Sequence, residues 1–340
     1  MTDDPLHRLG EDAATRARII AALQQFERLP HNRFTTVRDD VTGPVVDALH
    51  ATLPFVRKEL SNGLVFEFPY RCKIARDFVM SWPEKPDHVW EPQTTKLLLH
   101  LAGMVTDAIV GGAYFGDQAI PMGHVMRGRG TCHAFEADPA QAAMIRRNAS
   151  LNHLDNVRVN PLGLWSRPAM LSLVGHDAFA GAMESETGSE ATTIDAYAEA
   201  LGLHIGLIML DLEGGELHAL RGASEQLARH SPYIVFEVHR SYVDWSHGLQ
   251  ATEIVRFLAA RGYTIYAIRD FQSNYDLAGR PVELVPIETA YLEGPPHGFN
   301  LFAFRDAAVI EDELFRVVPN VSPKLLLHRD PALHHPAGGL

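Results

Sequence analysis

Five acids and a histidine stand where apolar runs of this 340-residue chain give out. Ile205 to Leu212 is nearly continuous in apolar residues and leads into Asp211-Leu212-Glu213-Gly214-Gly215-Glu216. Tyr233 to Val238 is a second such run, carrying Glu237 and followed by His239. Thr131 to Phe135 is a third, and it ends on Glu136. Residues two apart on a strand face the same side, so Asp211 with Glu213, and Glu237 with His239, can each address one space. Three carboxylates and an imidazole in one cleft suit two chemistries. Asp211, Glu213 and Glu237 could hold a divalent cation such as Mg, or His239 and Asp211, with Glu237, could take a proton from a hydroxyl. The bland alternative for Glu216, and in part for Glu213, is an acid complementing a helix dipole; it explains Asp211 poorly.

A second constellation lies upstream. Ala108-Ile109-Val110 breaks at Gly111-Gly112-Ala113-Tyr114-Phe115-Gly116, a helix-length segment follows, and Thr131 to Phe135 then ends on Glu136. Strand, glycine turn, helix, strand, acid is the plan of a nucleotide-cofactor half-site. Gly112 and Gly116 would let the backbone approach a ligand, and Glu136 would accept hydrogen bonds from ribose hydroxyls. The spacing Gly112-x-x-x-Gly116 disfavours a nicotinamide dinucleotide, which wants G-x-G-x-x-G. Asn148 and Asn152 read as helix-end or turn hydrogen bonders, and Trp165 as packing.

The elements that must position these groups alternate. Residues 1–90 form an N-terminal extension, with helices over Ala13 to Leu29 and Val45 to Leu53 and a hairpin turning at Ser61-Asn62-Gly63; Tyr70 to Trp82 is left unassigned. Residues 91–310 form the main domain. Helices are expected over Glu91 to Leu101, Asp117 to Met126, Asp138 to Leu154, Ile194 to Leu201 with Thr193 as cap, Glu216 to His230, and Ala251 to Ala260. Strands are expected at 108–110, 131–135, 157–164, 205–212, 233–238, 263–268 and 300–304, with a short ribbon at 170–174. Gly175 to Glu190 reads as a loop, and Phe271 to Phe299 as a long insert. Strands alternating with helices imply a doubly wound, mostly parallel α/β sheet. The last two strands lack a helix between them and read as an antiparallel pair at one edge. Residues 311–340 read as a tail, disordered from Pro331.

Composition sets the outer limits. A formal charge of −12 speaks against a nucleic-acid surface, which needs clustered Lys and Arg. No run approaches the ~18 residues of a membrane helix, and the acidic N-terminus lacks a signal-peptide profile, so a cytoplasmic protein is expected. Cys72 and Cys132 read as small buried hydrophobes. Most of the 18 histidines, including His328, His334 and His335, read as solvated. A neutral or cationic small substrate fits this balance better, and a homo-oligomer is compatible with it.

Three ordered blocks carry a resemblance: FEADPAQAAMIRRNASLNHLDNVRV (Phe135 to Val159), TTIDAYAEALGLHIGLIMLDLEGGELHALRGA (Thr192 to Ala223) and YIVFEVH (Tyr233 to His239). They resemble the FkbM-type S-adenosylmethionine-dependent methyltransferases. The resemblance implies a class I methyltransferase (Rossmann-like) fold, a seven-stranded sheet with an antiparallel last strand, and O-methylation of a sugar or secondary metabolite. It implies that Gly112, Ala113, Gly116 and Glu136 line the cofactor; Asp117, Ala137, Gly163 and Asp211 are counted with them. One position departs. The family reads Asp-x-Gly-Ala-x-x-Gly, and its aspartate falls on Val110 here; Asp107 lies on the opposite strand face, and Asp117 is the nearer substitute. Val110 motivates a second reading, a methyltransferase-fold scaffold without catalysis, against which Glu136, Asp211, Glu237 and His239 count. A third is a nicotinamide-dependent oxidoreductase.

Overall fold

Apolar runs of five or six residues that cannot satisfy their own backbone groups must pair with one another, and in the computed structural model they do so in one large sheet. The structure describes residues 4–174, 181–277, 279–292 and 298–339. Two compact units result, one of Met1–Pro92, Phe271–Ala278 and Leu325–Leu340, the other of Gln93–Asp270 and Gly279–Lys324.

In the first unit, aspartates start the first two helices. Asp4 accepts from the Leu6 amide at 2.8 Å before α1 (Pro5–Glu11), and Asp12 from the Thr15 amide at 2.8 Å before α2 (Ala13–Glu27). Helix α3 spans Gly43–His50. Strands β1 (Val56–Glu59) and β2 (Val65–Phe68) pair antiparallel across the expected turn, where Asn62 accepts from the Leu64 amide. The stretch left unassigned contains α4 (Lys73–Val79). Val46, Leu49, Phe66, Phe68 and Phe78 are fully buried. The closing segment is not a disordered tail: residues Pro331–His334 are helical, Asp330 caps them through the Ala332 amide, and His334 is buried rather than solvated.

The second unit opens with α5 (Pro92–Ala102) and then alternates as expected: β3 (Asp107–Gly111), α6 (Ala119–Met126), β4 (Thr131–Phe135), α7 (Pro139–Leu151), β5 (Val157–Asn160). Strands β6 (Gly163–Leu164), β7 (Ala169–Val174), β8 (Gly181–Glu184) and β9 (Ser189–Thr192) form a small sheet of their own, in the order β6-β9-β7-β8. Helix α8 (Ile194–Leu201) follows, capped by Thr193. Then come β10 (Ile205–Leu210), α9 (Glu216–Arg221), α10 (Ser224–His230), β11 (Tyr233–Val238), α11 (Glu253–Ala259), β12 (Thr264–Ile268), β13 (Val282–Pro286), β14 (Phe299–Phe304) and β15 (Phe315–Val317).

The large sheet runs β15-β13-β12-β14-β11-β10-β3-β4-β5. Strands β5, β4, β3, β10 and β11 pair parallel, and β14 inserts antiparallel between β11 and β12. The central strands are buried on both faces. The sheet is therefore mixed: β5, β4, β3, β10, β11 and β12 run one way, and β14, β13 and β15 the other, so the expected antiparallel pair, β12 and β14, lies inside the sheet and not at its edge.

Several expectations need correction. The sheet has nine strands among the described residues rather than seven, because the insert supplies β13 and the segment after residue 311 supplies β15. A buried ion pair holds this edge: Arg269 reaches Glu283 of β13 at 2.6 Å and donates to the Ser322 carbonyl at 3.0 Å. The third strand stops at Asn160, and Gly163 leaves it to pair with β9. Part of the expected loop over 175–190 is β8 and the start of β9; residues 175–180 lie outside the described ones. The helix expected over Glu216 to His230 is two helices, because Asp195 accepts from the Glu225 and Gln226 amides and so caps α10 where it begins. Cys132 is buried but Cys72 only half so. Among the described residues, no helix is long and apolar enough to cross a membrane.

Candidate active site

Register decides which side chains meet. Leu210 pairs with both Gly111 and Phe236, and Gly111 with Phe135. The ladder continues one step past the strands: the Asp211 amide donates to Gly111, Gly112 to Phe135, and Glu136 to Asn160, at 3.0, 3.0 and 3.1 Å. The next row across β11, β10, β3 and β4 is therefore Glu237, Asp211, Gly112, Glu136. Neighbouring strands lie ~4.8 Å apart, so the three carboxylates stand in one row with Gly112 between Asp211 and Glu136. This row stands at the carboxyl ends of the parallel strands, where doubly wound sheets bind ligands.

Gly112 is required there. Its φ is +74°, and a Cβ would lie 1.7 Å from the Asp211 carbonyl oxygen. The turn that follows wraps around Glu136, whose two oxygens accept from the Tyr114 and Asp138 amides, each at 2.9 Å. Each carboxylate oxygen retains acceptor capacity, so Glu136 can still receive hydroxyls. Asn148, fully buried on α7, fixes the same turn by donating to the Phe115 carbonyl at 2.9 Å. Ser189 of the small sheet donates to the Ala137 carbonyl at 2.6 Å, and the Ala182 amide donates to the Glu213 carbonyl at 3.0 Å. The small sheet thus ties the loop after β4 to the loop after β10, and Gly163 begins it. Trp165, 3% exposed, stacks on His218 with ring centroids 3.9 Å apart, a packing role.

The departure at Val110 is real: that side chain is buried, paired between Met209 and Ala134. Asp107 sits at the opposite end of β3 against His133, at 3.3 Å. Asp117, the nearer substitute, is half-buried just past the glycine turn, where the charges of Asp211 and Glu136 act on it.

The electrostatics of this space are uniform in sign. Burial, then Asp211, pushes Asp117 up to about 7. Burial raises Glu136 to about 7, against the pull of its two amide donors. Burial and Asp211 raise Glu213 to about 7, and burial raises Glu216 to about 8. Asp211 rises to about 6 through burial by surrounding protein, although water reaches its side chain. Glu237 is raised well above the ordinary range, by burial first and Asp211 second.

Glu216 acts largely within its own turn, accepting from the Leu212 and Gly214 amides at 2.7 and 3.3 Å. Glu237 accepts from the Tyr242 hydroxyl. Room for the Glu237 carboxylate comes from Gly298, where a Cβ would stand 2.1 Å from its Oε1.

Two expected roles change. Among the described residues, no group of three His, Cys, Asp or Glu side chains could hold a metal ion, so Asp211, Glu213 and Glu237 do not converge on a cation site. Glu213 has φ +51°, which ends the regular strand alternation that would have pointed it with Asp211. His239, 5% exposed, accepts the Ser241 amide on Nδ1 at 3.1 Å. With that bond made, its neutral form carries the hydrogen on Nε2.

Tyr242 was not singled out from sequence. The turn that returns its amide to the His239 carbonyl at 3.1 Å brings its ring over Gly214 and its hydroxyl to Glu237. No local pattern signals this. Tyr242 also lines a cleft of about 740 Å³ with Arg240, Trp245, Ser246, Ala290 and Leu292. The cleft adjoins the carboxylate row through Tyr242.

Residues 111–265 match the family model described as the methyltransferase FkbM domain. Among solved structures, the chain is similar to the methyltransferase FkbM from Methylobacillus flagellatus KT, at 15% identity and TM-score 0.37, over 87% of this chain and 60% of that one. It is also similar to an O-methyltransferase from Bacillus cereus in complex with SAH, at 13% identity and TM-score 0.37, over 63% and 81%. TM-scores this low say nothing of the chemistry, and the fold rests on the strand order above. A search of the curated proteins finds no match. The family match covers the glycine turn, Glu136, the Asp211 turn and Glu237 together, all within the residues 111–265 that are similar to the methyltransferase FkbM domain.

Proposed function

We propose that this domain transfers a methyl group from S-adenosylmethionine to a hydroxyl of a small molecule held in the cleft beside Tyr242. The observation that carries the reading is the row Glu237–Asp211–Gly112–Glu136 at the carboxyl ends of the parallel strands, with the cleft that Tyr242 lines beside it. Residues present fit the donor. Glu136 has acceptor capacity for ribose hydroxyls, and Asp117 and Asp211 offer negative charge to an ammonium group. Bound there, S-adenosylmethionine supplies an electrophilic methyl on a sulfonium, and transfer is an in-line displacement.

The chain's work is then to hold and align the acceptor, exclude water and take one proton. Glu237 is the best-placed base. Its raised pKa makes its ionised carboxylate a stronger proton acceptor than an ordinary one, and Tyr242 fixes its orientation from the cleft side. Atoms balance: the acceptor oxygen gains the methyl, the sulfur keeps the electron pair of the broken bond, and the hydroxyl proton passes to the carboxylate.

Incubation with methyl-tritiated S-adenosylmethionine and a panel of hydroxylated small molecules tests this. Label in a product stable to mild base, as an ether is, supports the reading. Label on nitrogen or in a base-labile ester contradicts it.

A further inference from the structure

One side chain belongs both to the cleft and to the carboxylate row. Among the described residues, Tyr242 lines the cleft of about 740 Å³ with Val243, Trp245, Ala290 and Leu292, and Glu237 does not. The Tyr242 hydroxyl donates to Oε2 of Glu237. The other oxygen, Oε1, lies against Gly298, so close that a Cβ there would stand 2.1 Å away. The carboxylate thus turns one oxygen to a backbone wall and the other to the phenol. The phenol is itself held in place. A Cβ on Gly214, where φ is +94°, would meet the Tyr242 ring at 3.0 Å, and the Tyr242 amide donates to the His239 carbonyl at 3.1 Å. A phenol that gives its proton to Glu237 keeps acceptor capacity on its oxygen for another donor. A molecule in the cleft therefore meets Glu237 by way of this oxygen.

We propose that Tyr242 is the group that touches the acceptor, and that the acceptor's hydroxyl proton reaches Glu237 in two linked transfers through the Tyr242 oxygen. The proposal rests on the methyltransferase reading above and adds a step between the acceptor and the carboxylate. The bound acceptor donates its hydroxyl to Tyr242 Oη. As the acceptor oxygen attacks the methyl, its proton passes to Oη, and the proton of Oη passes to Oε2 of Glu237. The electron pair of the broken carbon–sulfur bond stays on sulfur. Glu237 ends protonated, Tyr242 ends as it began, and the products are a methyl ether and a neutral thioether. Glu237 then gives its proton back to water, so no further reactant is needed. Linked movement suits the surroundings. Burial and the charge of Glu237 hold the Tyr242 hydroxyl far above its ordinary value, so a free tyrosinate is costly there. Burial also raises Glu237, which makes its carboxylate a better sink for the relayed proton.

Single-turnover methyl transfer by the full chain to the panel molecule that the parent labels tests this, in mixtures of light and heavy water. Two protons moving together make the rate fall along a curve as the deuterium fraction rises, whereas transfer straight to Glu237 moves one proton and gives a straight line. The curve is expected. Tyr242→Phe keeps the ring and removes the relay. Its rate should fall about 100-fold or more, while calorimetry shows S-adenosylhomocysteine affinity unchanged and circular dichroism shows the fold intact. A ring-fluorinated tyrosine in place of Tyr242 keeps the hydroxyl and should restore most of the rate, and it serves for the heavy-water measurement if the Phe variant does not fold. A straight line in the parent, or a folded Tyr242→Phe as fast as the parent, overturns the relay and leaves the methyltransferase reading standing. A parent that labels no panel molecule overturns both.

Discussion

Glu136 holds two backbone amides in place and keeps acceptor capacity on both oxygens. Glu136→Gln removes the charge and turns one oxygen into a donor that faces an amide donor. A hydrogen bond to a charged group is worth about 1.5–3 kcal/mol, so S-adenosylhomocysteine affinity should fall about tenfold or more in calorimetry. An unchanged affinity would remove Glu136 from the site. Its place was legible in the sequence, since an apolar run of strand length ended on it. So were Asp211 and Glu237. The duty of His239 was not, because it turns on one hydrogen bond from the Ser241 amide, and nothing local in the sequence reports which imidazole nitrogen is engaged.

The glycine turn between β3 and α6 carries the site's backbone. At Gly112 a positive φ coincides with contact against the carbonyl of Asp211. Gly112→Ala therefore forces the loops after β3 and β10 apart. The expected outcome is a loss of at least ~2 kcal/mol of stability in urea unfolding. A mutant as stable as the parent would show the turn to be pliable. The elements whose period is visible, such as α7 with Asp138 as cap, were found close to their ends. Strands β9 and β13 were missed because they pair with partners distant in sequence, and their own residues carry no strong alternation.

The acids at the strand ends also bear on the whole molecule's response to pH. In the unfolded chain their carboxyls titrate at roughly 3.9–4.3. In the folded state Asp117, Glu136 and Glu213 are raised to about 7 and Glu216 to about 8. A raised carboxyl means that the folded state holds protons the unfolded chain has lost. Their contribution to stability is therefore present in full below the unfolded values and is lost as pH rises through 7 to 8. The ligand-free protein should melt at a lower temperature at pH 8 than at pH 6 in scanning calorimetry, and saturating S-adenosylmethionine should narrow the difference. A melting temperature that rises from pH 6 to pH 8 would contradict this account.

Periodicity and turn chemistry are local properties, so the order of strands and helices, the glycine turn and the acids that end the strands could be read along the chain. The family resemblance rested on those same local blocks. Register, by contrast, is a relation between strands, and it alone sets Glu237, Asp211 and Glu136 in one row around Gly112. The same holds for Tyr242, whose hydroxyl meets Glu237 only because a turn folds back, and for the absence of a cation site among the described residues, because a positive φ at Glu213 breaks the alternation that a straight strand would have kept.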